Sequence, residues 1–297
     1  MKLLSISTSQ GPRLGIKLSD GILIVSRIPD PSGTAASPLP RTLDEALSAP
    51  GGIERLLLAL RSLIDRPNVN EFLIAENQVK ICRPLLPGNV FCVGLNYRDH
   101  AVECNRPIPK SPILFAKWNS AIIGPGEAVV LCADSTQVDY EAELAVVIGK
   151  VCRGVSAKSA LDYVAGYMCA NDISARDFQR EDGQWVRAKS QDTFGPIGPY
   201  LVTADETGDP QSLGIRCWVN GRQLQNSNTG DMIFGVRELI AFISRGITLY
   251  PGDVICTGTP KGIGQAQNPP VYLKAGDEVV VEIDKVGRLS NPVVANL

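Results

Sequence analysis

The segment that most restricts the fold is Val138-Asp139-Tyr140-Glu141-Ala142-Glu143-Leu144-Ala145-Val146-Val147-Ile148-Gly149. Rich in Val, Ile and Leu after Asp139 and closed by a glycine, it predicts a strand, and side chains on a strand alternate between faces. Glu141 and Glu143 therefore project from one side of a sheet. A third acid set in apolar sequence, Asp172, follows in Met168-Cys169-Ala170-Asn171-Asp172-Ile173-Ser174. Neighbouring anions raise one another's pKa or require a cation, and a hard divalent ion held by oxygen ligands is the simplest resolution. The sequence thus points to a site for Mg2+ or a similar metal.

Around this segment, runs of Val, Ile, Leu, Tyr and Thr recur from about Val79 onward between Gly/Pro signals such as Gly124-Pro125-Gly126 and Tyr250-Pro251-Gly252-Asp253, which favours a mainly β body. Two helices are expected within it. Ser156 to Ala165 opens on a plausible N-cap, and Asp231 to Arg245 sets Phe234, Leu239, Ile240 and Ile243 near one face before Gly246, a C-cap candidate. Before about residue 75 the pattern differs. Short β-like runs at Lys2–Ile6, Leu14–Leu18 and Ile22–Val25 precede a Pro/Ser/Gly-rich loop from Pro29 to Pro40. A helical turn capped by Thr42, a helix over Ile53–Ile64 and a break at Arg66–Asn70 follow. The expected organisation is a small α+β amino-terminal domain, residues 1–75, and a catalytic domain, residues 76–297.

At 297 residues the chain can hold one large core, or a large domain with a small appendage. Its 20% charged residues and net charge of −2 exclude an extended basic surface for nucleic acid. The first apolar run, Leu3-Leu4-Ser5-Ile6, is too short for a signal-peptide core, and no stretch is long enough to span a membrane. No Gly-rich phosphate loop follows a strand and opens a helix, so nucleotide binding is disfavoured. None of the eight cysteines pairs at CxxC spacing, which suits buried reduced thiols in a cytoplasmic protein better than disulfides or a zinc site. A catalytic thiol is left open. The single histidine, His100, excludes a His-rich metal cluster, and any imidazole acid or base must be this residue.

His100 lies in Gly94-Leu95-Asn96-Tyr97-Arg98-Asp99-His100-Ala101-Val102-Glu103. On a helical turn His100 and Glu103 face the same way, and a carboxylate there orients an imidazole for water activation. A loop histidine paired to a surface glutamate is the plain alternative. Beyond Asp172, Arg176, Gln179 and Lys189 offer donors to an oxyanion or a substrate carboxylate, against the alternative of a solvated charged loop. Cys256-Thr257-Gly258-Thr259-Pro260-Lys261-Gly262-Ile263-Gly264 suits the gripping of a small anion, or is an ordinary β-turn.

Taken in order, Gly94-Leu95-Asn96-Tyr97 with His100-Ala101-Val102-Glu103, Phe115-Ala116-Lys117, Asp139-Tyr140-Glu141-Ala142-Glu143-Leu144, Asn171 to Asp177, Lys189-Ser190, Asp231 to Phe234 and Thr257-Gly258-Thr259-Pro260 resemble the fumarylacetoacetate hydrolase family. The resemblance runs from about Pro84 to the carboxyl terminus. It implies a rolled, β-rich catalytic domain, a homodimer, and Mg2+ or Mn2+ as cofactor with Ca2+ as a substitute. It also implies Glu141, Glu143 and Asp172 as metal ligands, His100 and Glu103 as the dyad on a segment that orders over substrate as a lid, Lys189 in catalysis, and Arg176, Gln179 and Thr259 as substrate contacts. The activity implied first is hydrolytic C–C cleavage of a 2,4-diketo acid such as an acylpyruvate, through a metal-stabilised enolate. Isomerisation, tautomerisation or decarboxylation of a 2-keto acid on the same platform is the alternative, and a non-catalytic binding protein the third. Trp118, where proline is common, and Gln191, where an aromatic residue is usual, place substrate choice in question.

Overall fold

The computed structural model describes residues 1–27 and 39–296. The expected Pro29–Pro40 loop falls almost wholly outside them. The fold is α+β and dominated by sheet. One large, mostly antiparallel sheet runs, by neighbouring strands, Leu73–Ile74, Gly21–Ile24, Arg13–Leu18, Lys2–Ile6, Gly195–Thr203, Val164–Asn171, Ala142–Ile148, Val254–Cys256, Val90–Gly94 and Ile113–Lys117. The amino-terminal strands share this sheet through the pairing of Lys2 with Val202 and of Leu3 with Leu201. A second sheet runs Arg222–Asn228, Gly214–Val219, Glu278–Ile283, Gly287–Val294 and Val129–Val130.

The strand Ala142–Ile148 is buried on both faces, which is why its sequence is continuously apolar. Leu144, Val146 and Ile148 belong to a core shared with Ile215, Cys217, Val279 and Val281 of the second sheet. Ala145 and Val147 belong to a separate core with Leu56, Leu60 and Leu63 of the Gly52–Ile64 helix. Each such fully buried Leu, Ile or Val stabilises the fold by roughly 1.5–3 kcal/mol. Alternation puts Glu143 on the Ala145/Val147 side, next to the first residue of the strand.

Two helix expectations change. Ser156–Ala165 is not an α-helix: a short 3-10 turn at Ala160–Tyr163 leads into the strand Val164–Asn171. There the hydroxyls of Ser156 and Ser159 bond to each other at 2.9 Å and Ser156 Oγ accepts from the Ser159 amide, so the serines close a turn rather than cap a helix. The second helix begins at Val236 rather than Asp231. Asn96 takes the intervening backbone, its carbonyl accepting from Ile233 N at 2.7 Å and its side-chain oxygen from Phe234 N at 2.9 Å. Leu239, Ile240 and Ile243 are buried as the spacing requires. Its C-cap is Arg245, and Gly246 does not adopt a left-handed φ. Thr42 caps its helix, accepting from Glu45 N at 3.1 Å.

Candidate active site

Antiparallel pairing of Ala142 with Asn171 continues one step to place Glu141 across from Asp172, whose amide donates to Glu141 O at 2.9 Å. The Asn171 side chain closes the junction by accepting from Glu141 N at 3.0 Å. Carboxylate oxygens of Glu141, Glu143 and Asp172 consequently lie within 4.8 Å of one another, and all three residues are buried. They floor a cavity of about 500 Å³ also lined by His100, Phe115, Arg176, Gln179, Trp185, Lys189 and Thr259.

Buried cations interleave with these acids. Lys189 Nζ donates to Glu141 Oε2 and Asp172 Oδ2, both at 2.6 Å, and Lys117 Nζ to Asp172 Oδ1 at 2.5 Å. Arg176 spans Glu141 at 2.5 Å and Asp139 at 2.8 Å. Burial would raise the Glu141 carboxyl, but the charges of Arg176, Lys189 and His100 hold it well below the usual carboxylate range. Lys117, Lys189 and Arg176 pair with Asp139, Glu141 and Asp172, whereas Glu143 accepts only from the neutral Gly258 amide among the described residues. Burial first, then the negative charge of Asp172, the Cys256 thiol and Glu141, push its carboxyl well above its ordinary value. A divalent cation among Glu141, Glu143 and Asp172 would relieve that penalty with oxygen ligands suited to Mg2+ or Mn2+, so the residues fit the group.

The dyad stands on the six-residue helix Arg98–Glu103, with His100 Nδ1 3.0 Å from Glu103 Oε2. Burial alone would lower the His100 pKa, but contacts with Cys104 and Glu103 and the charge of Glu141 raise it to about 9. The helix brings His100 to the cavity wall and is tied down by bonds at both of its ends. Arg98 donates to Met232 O at 2.7 Å, Asn96 Nδ2 to Thr257 O at 2.7 Å, and Gly262 N to Glu103 Oε1 at 2.7 Å.

The Cys256–Gly264 segment grips anions, but they are the protein's own. Gly258 N donates to Glu143 Oε2 at 2.9 Å, Gly262 N to Glu103, and Gly264 N to Asp139 Oδ1 at 2.7 Å. Gly258 and Gly262 have φ of 94° and 100°, and a Cβ would stand 2.9 Å from Val93 O at the first and 2.1 Å from Leu224 O at the second. Only glycine brings those amides close enough. One loop thus positions both the carboxylate cluster and the dyad.

All nine sequence-derived site residues meet here except that Glu103 stands behind His100 rather than on the cavity wall. Gln179 accepts from Arg176 Nη1 at 3.0 Å, and Thr259 Oγ1 accepts from the buried Gln225 at 2.8 Å, which leaves its hydroxyl hydrogen free to donate. Trp118 is 59% exposed and outside the cavity lining, as is Gln191; Trp185 lines it instead, edge-on to Phe115 at 5.4 Å. Sequence reasoning did not assign roles to Lys117, Asp139 or Gln225. The signal for Lys117 was a lysine closing the apolar run Ile113–Ala116, and for Asp139 an acid at the head of a buried strand. Gln225, fully buried among exposed neighbours on its strand, had none.

The sequence model described as "Fumarylacetoacetate (FAA) hydrolase C-terminal" matches residues 89–294. "Oxaloacetate tautomerase fahd2, mitochondrial" of Xenopus laevis is 45% identical over 292 residues, 97% of this chain and 88% of that protein. Among solved structures, the fumarylacetoacetate hydrolase of Exiguobacterium antarcticum superposes with a TM-score of 0.82 at 34% identity, covering 100% of each chain. The maleylpyruvate hydrolase of Sphingobium sp. SYK-6, in complex with manganese(II) and pyruvate, does so with a TM-score of 0.80 at 31% identity and the same coverage. The chain is an enzyme of the fumarylacetoacetate hydrolase family.

Proposed function

We propose that this protein is a keto–enol tautomerase of a 2-keto dicarboxylic acid, oxaloacetate or a close relative. The observation that carries the reading is the meeting, in one cavity, of His100, three buried carboxylates and, beside the ion-paired Arg176, two further arginines, Arg106 and Arg180. The name of the Xenopus relative supports it. Glu141, Glu143 and Asp172 would hold a divalent cation, Mg2+ or Mn2+, which when bound supplies Lewis acidity toward the keto oxygen and adjacent carboxylate of the substrate. Lys189, fixed between Glu141 and Asp172, adds positive charge on the same side. Arg106 and Arg180 at the cavity mouth bind the second carboxylate.

His100 then carries the proton. As neutral imidazole it removes one proton from the methylene carbon, and as imidazolium it returns one to the enol oxygen, so the substrate gains and loses nothing else. Glu103 is a positioning residue, holding the ring and favouring the imidazolium. Thr259 and Gln179 orient the substrate by hydrogen bonding. Hydrolytic C–C cleavage of an acylpyruvate is the second reading, favoured by the similarity to the maleylpyruvate hydrolase with bound manganese and pyruvate. In that case His100 would deprotonate a water instead.

An amino-terminal domain, residues 1–75, that extends the catalytic domain's own sheet, a homodimer and a cytoplasmic placement complete the proposal; the Xenopus relative is named as mitochondrial. Among the described residues no helix is long and apolar enough to cross a membrane. The test is to follow enol absorbance and pyruvate release from oxaloacetate and from acetylpyruvate with Mg2+. Accelerated loss of the oxaloacetate enol without added pyruvate supports the tautomerase. Pyruvate and acetate from acetylpyruvate, with no effect on oxaloacetate, would replace it by the hydrolase.

A further inference from the structure

Gln225 is fully buried on the strand Arg222–Asn228, whose other residues are exposed or half-buried, and the chemistry above gives it no task. Gly262 lets this strand meet the Cys256–Gly264 loop: a Cβ there would stand 2.1 Å from Leu224 O and 3.2 Å from Gln225 Cα. The Gln225 amide then reaches three groups. Ala142 N, between Glu141 and Glu143, donates to its Oε1 at 2.9 Å, while its Nε2 donates to Pro260 O at 2.9 Å and to Thr259 Oγ1 at 2.8 Å.

A backbone N–H only donates and a carbonyl only accepts, so Ala142 and Pro260 permit a single orientation of the amide. Flipped, it would leave both of those buried groups unpaired. Both Nε2 hydrogens are thereby spent, and Thr259 Oγ1 is held as an acceptor on its inner side. The hydroxyl hydrogen of Thr259 has no acceptor among the described residues, and Thr259 lines the cavity. Gln179 is set in the same sense by Arg176, whose Nη1 occupies Gln179 Oε1 at 3.0 Å and leaves Nε2 to donate. Two neutral side chains that could read donors and acceptors alike are left as donors.

We propose that Gln225 is a positioning residue that fixes Thr259 as a hydrogen-bond donor, so that this part of the cavity takes an acceptor-only group, an ionised carboxylate, and discriminates against the amide of the same acid. This role deepens the proposed function and rests on its reading of Thr259 as a substrate contact; Gln225 itself is not part of the cavity lining. Gln225→Glu keeps an acceptor for Ala142 N but, as a carboxylate, offers Thr259 only oxygen, so the hydroxyl turns its hydrogen inward and is lost to the ligand.

The test is calorimetric binding of oxalate to the intact protein in excess Mg2+, with Gln225→Glu, Thr259→Val and the double variant beside wild type. Each single change is expected to weaken oxalate about tenfold, and Thr259→Ser to bind as wild type does. The double variant should bind no more weakly than Thr259→Val, because both changes remove the same donor. Repulsion by the added charge, or general loosening of the strand, would instead multiply the two losses to about a hundredfold; that outcome overturns the proposal, as does wild-type affinity in Gln225→Glu. Thr259→Val leaves Gln225 untouched and gives a second readout with oxamate, in which one carboxylate of oxalate is replaced by an amide. The preference of wild type for oxalate over oxamate should fall at least about fivefold in Thr259→Val, and an unchanged preference overturns the donor assignment. Oxalate binding needs no turnover, so absence of tautomerase activity with this coupling intact ends that reaction and upholds the role of Gln225.

Discussion

The carboxylate cluster and the dyad helix share one cavity and one supporting loop, yet they are built on opposite plans. Glu141, Glu143 and Asp172 sit at the ends of paired central strands, buried and cross-linked by Lys117, Arg176 and Lys189. His100 and Glu103 ride on a helix of six residues held by a few bonds from Asn96, Arg98 and Gly262. The first plan suits a group that must stay fixed while a cation and substrate exchange; the second suits one that must reach a reacting carbon. The difference implies that damage to the cluster costs fold and metal together, whereas damage to the dyad costs chemistry alone.

The largest expected effect is that of Asp172→Ala. It removes a proposed cation ligand and strips Lys117 and Lys189 of a buried partner, so about 3–5 kcal/mol of stability should go, with Mg2+-dependent turnover falling ~10³-fold or more. Thermal unfolding and kinetics measure both. Equal stability with unchanged turnover would erase the distinction between the regions. His100→Ala should lower kcat by about 10²–10⁴-fold while unfolding within about 1 kcal/mol of wild type; a large stability loss there would mean that the histidine serves packing.

The two glycines sharpen the comparison within one loop. Gly258→Ala displaces the amide bonded to Glu143 and should weaken Mg2+ affinity, whereas Gly262→Ala displaces the one bonded to Glu103 and should lower kcat at saturating Mg2+. Each also adds about 1–3 kcal/mol of backbone strain, so affinity and kcat must be read on the folded fraction. If both variants lose affinity and kcat together, the loop does not separate the two functions.

The smallest effect is a shift in pH dependence. His100 acts as a base only when neutral, and its pKa is raised to about 9, so the rate should rise with pH toward that value. Glu103→Gln removes one interaction that favours the imidazolium, and the limb should move to lower pH. As His100 is the one histidine in the chain, its imidazole NMR signals report the same shift without assignment. A limb that moves upward would contradict the role given to Glu103.

The cluster was more legible in the sequence than its surroundings. Acids at alternating positions in an apolar strand are improbable without a cation, so Glu141 and Glu143 declared themselves locally, and the i, i+3 spacing did the same for His100 and Glu103. Gln225 and the amides of Gly258 and Gly262 could not be found that way, because their partners are remote in the chain and depend on sheet register. Ser156–Ala165 misled for a related reason: local capping chemistry resembles a turn closed by serine hydroxyls, and pairing with Ala142–Ile148 draws the chain into strand from Val164. Trp118 drew attention by its identity, whereas exposure removes it from the cavity.

Calorimetric titration of Mg2+ into Asp172→Ala and His100→Ala, beside wild type, tests the division of labour most directly. The account predicts one Mg2+ site of wild-type affinity in His100→Ala and none in Asp172→Ala. Retention of that site in Asp172→Ala, or its loss in His100→Ala, would contradict it.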